Sequence, residues 1–183
     1  IGLLQEEYLS MIEKSIKVPF VCLDFYDKRI ECDAVISNNF YGMYKVTDYL
    51  IDMGHTNIGY VGTLLSTCSI TDRYFGFCKA LLEHGLEVRN EWIIDDRNRE
   101  SGKRDDGFCF RLPDELPTAF VCNCDLTAGV FIENLQERGY CVPADISVAG
   151  FDNYIYPGLC DLGITTYEVD IEGLAWEAIE KLI

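Results

Sequence analysis

Val142-Pro143-Ala144-Asp145-Ile146-Ser147-Val148-Ala149-Gly150-Phe151-Asp152-Asn153 carries the clearest signal of fold class in the chain. A Pro and an Asp open it, an apolar run follows, and it closes on Gly-Phe-Asp-Asn. This is the pattern of a strand buried in a parallel sheet, with polar side chains presented at its carboxyl end. Ligands in open α/β sheets sit just beyond such ends. Asp152 and Asn153 are therefore the first candidates for a site.

On either side of it, strands and helices alternate along the chain. Tyr8, Leu9, Ile12 and Ile16 repeat at helical spacing over residues 5–16, and residues 18–24 read as a strand with Pro19 at its edge. Residues 34–37 form a short second strand that ends in Asn38-Asn39. A helix over 42–53 stops at Gly54, and residues 57–62 form the next strand. Thr71 or Asp72 can cap a helix that runs to about His84. Strands at 92–94 and 118–122 follow, with an irregular helix from 101 to about 112 between them. A helix from about 126 to 138, a last strand at 165–167 and a last helix at 171–183 complete the reading. Short, Gly-terminated connections between alternating elements argue for parallel sheets with right-handed crossovers. Seven to eight strands fit two sheets better than a single flavodoxin-like one.

Bulk properties narrow the function. Nearly half of the 183 residues are hydrophobic and a quarter are charged, as in a folded globule. A formal net charge of −16 argues against this segment gripping a phosphate backbone. No apolar run is long enough to span a membrane. There are nine cysteines, an odd number, and Cys22, Cys78, Cys122 and Cys141 lie among apolar neighbours. Reduced cysteines in a cytoplasmic protein explain them better than a disulfide framework. His55 and His84 stand alone, so no metal or other cofactor is expected. No GxSxG, HExxH, P-loop or GxGxxG is present, so the chain reads as a binding protein and not an enzyme. Both ends break into apolar or helical patterns and read as cut.

Five ordered blocks, covering most of residues 18–178, resemble the lactose-repressor (LacI/GalR) regulators. They are TDYLIDMGHTNIGYVG at 47–62, DRYFGF at 72–77, PTAFVCNCDLTA at 117–128, the opening stretch at 142–153, and LGITTY at 162–167. The resemblance implies an α/β effector-binding core of two Rossmann-like lobes, like periplasmic sugar-binding proteins, with the chain crossing between lobes. It places residues 1–40 and 153–183 in an incomplete N-terminal lobe and 41–152 in the C-terminal lobe. It further implies a homodimer, a small-molecule effector of the sugar type, and operator DNA reached only through a helix-turn-helix headpiece outside this chain. A periplasmic or lipoprotein sugar receptor of a transporter would share this core and is the alternative.

The same resemblance assigns candidate ligand contacts. Arg73 stands where the family has a ligand-binding Arg; a solvated surface Arg is the other reading. Asp125 matches an Asp that accepts sugar hydroxyls, and it can equally cap its helix. The family's usual Asn before it is Cys124 here, with Asn123 one place earlier. Asn38 and Asn39 stand at the first lobe crossing, as contacts or as turn formers. Asp152 and Asn153 mark the second crossing. Arg97 occupies a position where many relatives carry an aromatic ring, which suggests a more polar or anionic effector, or simply one more charge in a charged loop. Tyr26, Tyr41 and Tyr74 are candidates for stacking on the ligand. Val130 and Phe131 are candidates for a dimer interface or for ordinary packing.

Overall fold

A computed structural model describes residues 6–103, 108–154 and 163–183. The elements run α1 (Glu6–Ser15), β1 (Val21–Leu23), β2 (Asp33–Val35), α2 (Asn39–Asp52), β3 (Ile58–Val61), α3 (Cys68–Glu83), β4 (Ile93–Ile94), β5 (Ala119–Cys122), α4 (Asp125–Glu137), β6 (Ser147–Ala149) and α5 (Ile171–Glu180). β1 and β2 form one parallel pair, and a second parallel sheet has the order β4-β3-β5-β6. The α/β class with two parallel sheets is as the sequence predicts.

The larger sheet is covered on both faces, which is why its central strands are apolar throughout. β5 shows the period-two division of labour. Ala119 and Val121 join Met43, Leu50, Tyr60, Phe77 and Leu81 beneath α2 and α3. Phe120 and Cys122 point the other way, into Phe110, Phe131, Ile132 and Leu135 of the α4 side. Phe131 meets Phe110 and Phe120 edge to face at 5.0 and 4.9 Å, so it belongs to the core and not to a surface interface. Val130 is only partly buried against the same cluster. α2 and α3 touch backbone to backbone, since a Cβ on Gly76 would strike the Phe40 carbonyl.

Three expectations change. The helix predicted over 101–112 does not appear among its described residues: Gly102 is left-handed (φ 66°), and residues 108–112 form an irregular run from which Phe108 and Phe110 pack into the α4-side core. Residues 104–107 lie outside the described residues. The last strand is reduced to two parallel bridges, Ala149 with Thr165 and Asp152 with Glu168. Left-handed backbone at Asp152 (φ 104°) and Asn153 (φ 53°) interrupts any longer ladder. Finally, α3 begins a turn early. Thr67, not Thr71 or Asp72, caps it by accepting the Ile70 N–H at 3.0 Å, so Arg73 lies in the second turn.

The order β4-β3-β5-β6 means that the chain leaves β3 toward one side and returns to pair on the other. The crevice outside the carboxyl ends of β3 and β5 is thus a topological switch point. The carboxyl end of β1, with Asp24, faces the same space.

Candidate functional site

A cavity of about 1010 Å³ occupies that crevice. Its wall takes residues 23–29 after β1, residues 65–70 before and at the start of α3, Asn123 and Cys124 after β5, Asp152 and Tyr154 after β6, and Leu174 and Ala175 of α5. Arg73 and Arg97 also line it.

Arg73 shares the buried face of α3 with Ile70, Phe77 and Ala80, which is unusual company for a cation. It is only 6 % exposed. Each guanidinium nitrogen has its own partner. Nε donates to Asn39 Oδ1 at 2.7 Å, Nη1 donates to the Asn123 carbonyl, and Nη2 pairs with Asp152 Oδ1 at 3.1 Å. The plane lies 3.8 Å from the centre of the Phe151 ring. Three distant segments are fastened by one side chain.

Asp152 is the other pole. Burial raises its carboxyl pKa to about 6; Arg73 opposes this, while Asp125 and Asp24 reinforce it. Its backbone conformation is one that L-residues rarely adopt, and the bonds from its N–H to the Tyr167 carbonyl (2.9 Å) and from the Val169 N–H to its carbonyl (3.4 Å) hold it there.

Asn39 is buried and stands behind Arg73. Its Oδ1 also accepts the Ser37 hydroxyl, and its amide donates to the Ser37 carbonyl, which fixes the oxygen toward the guanidinium. Asn38 is exposed and caps α2 by accepting the Tyr41 N–H at 3.1 Å, so its turn-forming role is the one seen. Neither Asn is in the cavity lining.

Asp125 also departs from expectation. Cys124 is the residue at the cap position, and Asp125 is the first residue of α4. Its Oδ2 accepts the Tyr154 N–H at 3.0 Å, and its Oδ1 lies where a Cβ on Gly150 would have to go. Burial raises its pKa against the Thr166 hydroxyl and nearby backbone N–H groups. Asp125 thus braces the turn that carries Asp152 and does not line the cavity. Asn153 is exposed and also outside the lining; its N–H donates to Thr166 Oγ1.

Arg97 reaches the cavity, but its charge is already engaged. Nη2 lies 2.7 Å from Asp96 Oδ2, and Asp96 is fully buried. Burial raises the Asp96 pKa, but Arg97, Asn123 and the Thr63 N–H more than offset this and hold it well below the usual range. Of the three tyrosines, Tyr26 lines the cavity, and its hydroxyl donates to the Asp72 carboxylate on α3 at 3.1 Å. Tyr41 is exposed and stacks with Tyr44, while Tyr74 packs on Tyr60 and Phe77.

Asp24, Thr67 and Tyr154 are lining residues that sequence reasoning did not single out. Asp24 was within reach, since it ends β1 as Asp152 follows β6. Its carboxylate accepts the Ser37 hydroxyl at 3.2 Å and its backbone is left-handed (φ 62°). Among the described residues, no group of three or more His, Cys, Asp or Glu side chains could hold a metal. No helix among them is long and apolar enough to cross a membrane.

Residues 47–183 match the family described as periplasmic binding protein-like domain. The chain is 38 % identical to the HTH-type transcriptional repressor PurR of Glaesserella parasuis serovar 5 (strain SH0165) over 91 % of its own length and 49 % of that protein's. It is 32 % identical to the repressor of the same name from Aliivibrio salmonicida (strain LFI1238), over 98 % of this chain and 54 % of that one. It therefore spans about half the length of these curated relatives. The solved LacI-type transcription regulator from Bifidobacterium animalis subsp. lactis DSM 10140 superposes with a TM-score of 0.72 at 24 % identity, covering 92 % of this chain and 64 % of that chain.

Proposed function

The chain belongs to the periplasmic binding protein-like domain family, as a LacI/GalR-type effector-binding core, and we propose that its effector is a sugar. The observation that carries this reading is Arg73, almost fully buried yet facing a cavity large enough for a small ligand. A guanidinium held from three sides is a preorganised donor for ligand hydroxyls.

Charge balance supports a neutral polyhydroxylated ligand. Arg73 is paired with Asp152, Arg97 with Asp96, and Arg29 with Asp27. Lys28 and Asp24 add one charge of each sign. With Arg97 neutralised in this way, its presence no longer argues for an anionic effector. Phe25, Tyr26 and Tyr154 supply aromatic surface to cover a sugar ring.

The lobes are residues 1–40 with 153–183, and 41–152. Ligand held between Arg73 and Asp152 on one side and the 23–29 loop on the other favours a closed arrangement. A ligand with different affinity for open and closed arrangements shifts that equilibrium, which allosteric control of DNA binding requires. In the whole protein this control acts in a cytoplasmic homodimer on operator DNA through a helix-turn-helix headpiece. The matched relatives are named as repressors, which favours regulation over a transport receptor or an enzyme.

A thermal-shift screen with pentoses, hexoses, sugar phosphates and nucleobases tests the reading. A true effector at 100 times its dissociation constant adds about 2.7 kcal/mol of stability. A neutral sugar should give such a shift, and Arg73→Lys should reduce it. A response confined to sugar phosphates or to nucleobases would sink the sugar assignment.

A further inference from the structure

Cys22 in β1 and Cys32, immediately before β2, bring their sulfurs to 3.3 Å. Strand register explains the approach. Cys22 stands opposite Ala34, and Cys32, two residues earlier, projects from the same face of the pair. Phe20, Phe25 and Ile30 enclose the two thiols in a small apolar cluster separate from the two larger cores. Residues 23–31 connect them, and this segment carries Asp24, Tyr26 and Arg29 onto the cavity wall.

We propose that Cys22 and Cys32 are an oxidisable pair, converted by hydrogen peroxide into a disulfide that ties down the loop lining the effector cavity. Cys32 is partly exposed and Cys22 is buried, which separates their roles. The Cys32 thiolate attacks one peroxide oxygen and the O–O bond breaks. Cys32 becomes a sulfenic acid, and hydroxide leaves as water after taking a proton. The Cys22 sulfur then attacks the sulfenic sulfur and the S–O bond breaks. The departing hydroxide takes the Cys22 proton and leaves as a second water. The two thiols lose two electrons in total, and the peroxide gains them. Burial and the adjacent Cys32 push the Cys22 thiol up to about 12, so Cys22 suits the second, resolving step and not the first.

Trypsin sites at the exposed Lys28 and Arg29 fall between the two cysteines, so the bridge can be read directly. The reduced chain is treated with hydrogen peroxide, free thiols are alkylated, and the digest is analysed without reduction. The expected product is residues 18–28 joined to residues 30–45, separated again by dithiothreitol. The Cys32→Ser variant, altered at a half-buried position, should yield no cross-link to Cys22. Recovery of both peptides as alkylated or sulfinic forms, or linkage of either to a different cysteine, would overturn the pairing. Native cleavage after Lys28 and Arg29 should also slow several-fold in the oxidised protein. Unchanged cleavage would overturn the claim that the bridge restrains the loop.

Discussion

The Arg73 guanidinium and the Asp152 carboxylate meet at 3.1 Å, and each is brought there against its ordinary preference. Arg73 rides the apolar face of α3 into the interior, while Asp152 adopts a backbone conformation that favours glycine. Neither arrangement is what the isolated residue would choose. The pair persists because Asn39, the Asn123 carbonyl, Phe151 and the crossover at 165–169 hold it from every side. Sites that bind through preorganised polar groups store strain in this way.

Arg73→Ala should be costly, because it leaves the partly buried Asp152 carboxylate without its cation and takes a donor from both Asn39 Oδ1 and the Asn123 carbonyl. Removing one partner of a buried ion pair costs about 3–5 kcal/mol. Asp152 is 30 % exposed, so the loss should fall toward the lower end of that range. Urea unfolding of variant and wild type measures it. A loss within the few tenths of a kcal/mol seen for surface sites would mean that the pair is not structural.

Asp152 also sets a pH dependence of unusual sign. Its folded-state pKa, about 6, lies above the ordinary carboxylate value, so the folded chain holds this proton more tightly than the unfolded chain. Stability from this group is therefore fully present below about pH 4 and declines as pH rises through 6. Asp152→Asn should remove the decline, so the variant gains on wild type by about 1–2 kcal/mol between pH 4.5 and 7 after allowance for partial exposure. Parallel pH profiles for the two proteins would refute this.

Tyr26→Phe should leave global stability almost unchanged while loosening the cavity wall. The lost bond to Asp72 is exposed and contributes no more than about 1 kcal/mol. The loop carrying Tyr26 should then be cut faster by trypsin after Lys28 and Arg29. An unaltered cleavage rate would show that the Tyr26–Asp72 contact does not restrain the loop.

Gly150→Ala tests the brace behind Asp152. The added methyl would occupy the place of Asp125 Oδ1 and force that carboxylate off the Tyr154 N–H. Overpacking of this kind costs about 1–3 kcal/mol. The variant should also bind effector more weakly, because Asp152 follows the same turn. Full affinity in a folded Gly150→Ala protein would separate the brace from the site.

Much of this was legible in the chain. The apolar runs at 118–122 and 146–149, with polar residues just beyond their carboxyl ends, were enough to place the crevice. Ile70, Arg73 and Phe77, at three- and four-residue spacing, already put Arg73 on the face that α3 buries, although it reads as a helix opener when Thr71 is taken as the cap. What spacing could not resolve was which of two adjacent residues does what. Asn38 and Asn39 are chemically identical, and only the helix start decides that one caps while the other grips Arg73. Asp125 bracing a turn and Asp96 neutralising Arg97 are long-range pairings, invisible before the chain closes on itself.

The cavity wall begins at Leu23 and is not complete until α5 contributes Leu174 and Ala175. A chain growing from its amino end would therefore have made both sheets before it owned the last piece of the pocket. Effector could not template an intermediate made before α5, because the wall that holds it is not yet complete. Responsiveness to effector would appear abruptly once α5 had been made, and would serve as a report that α5 had docked.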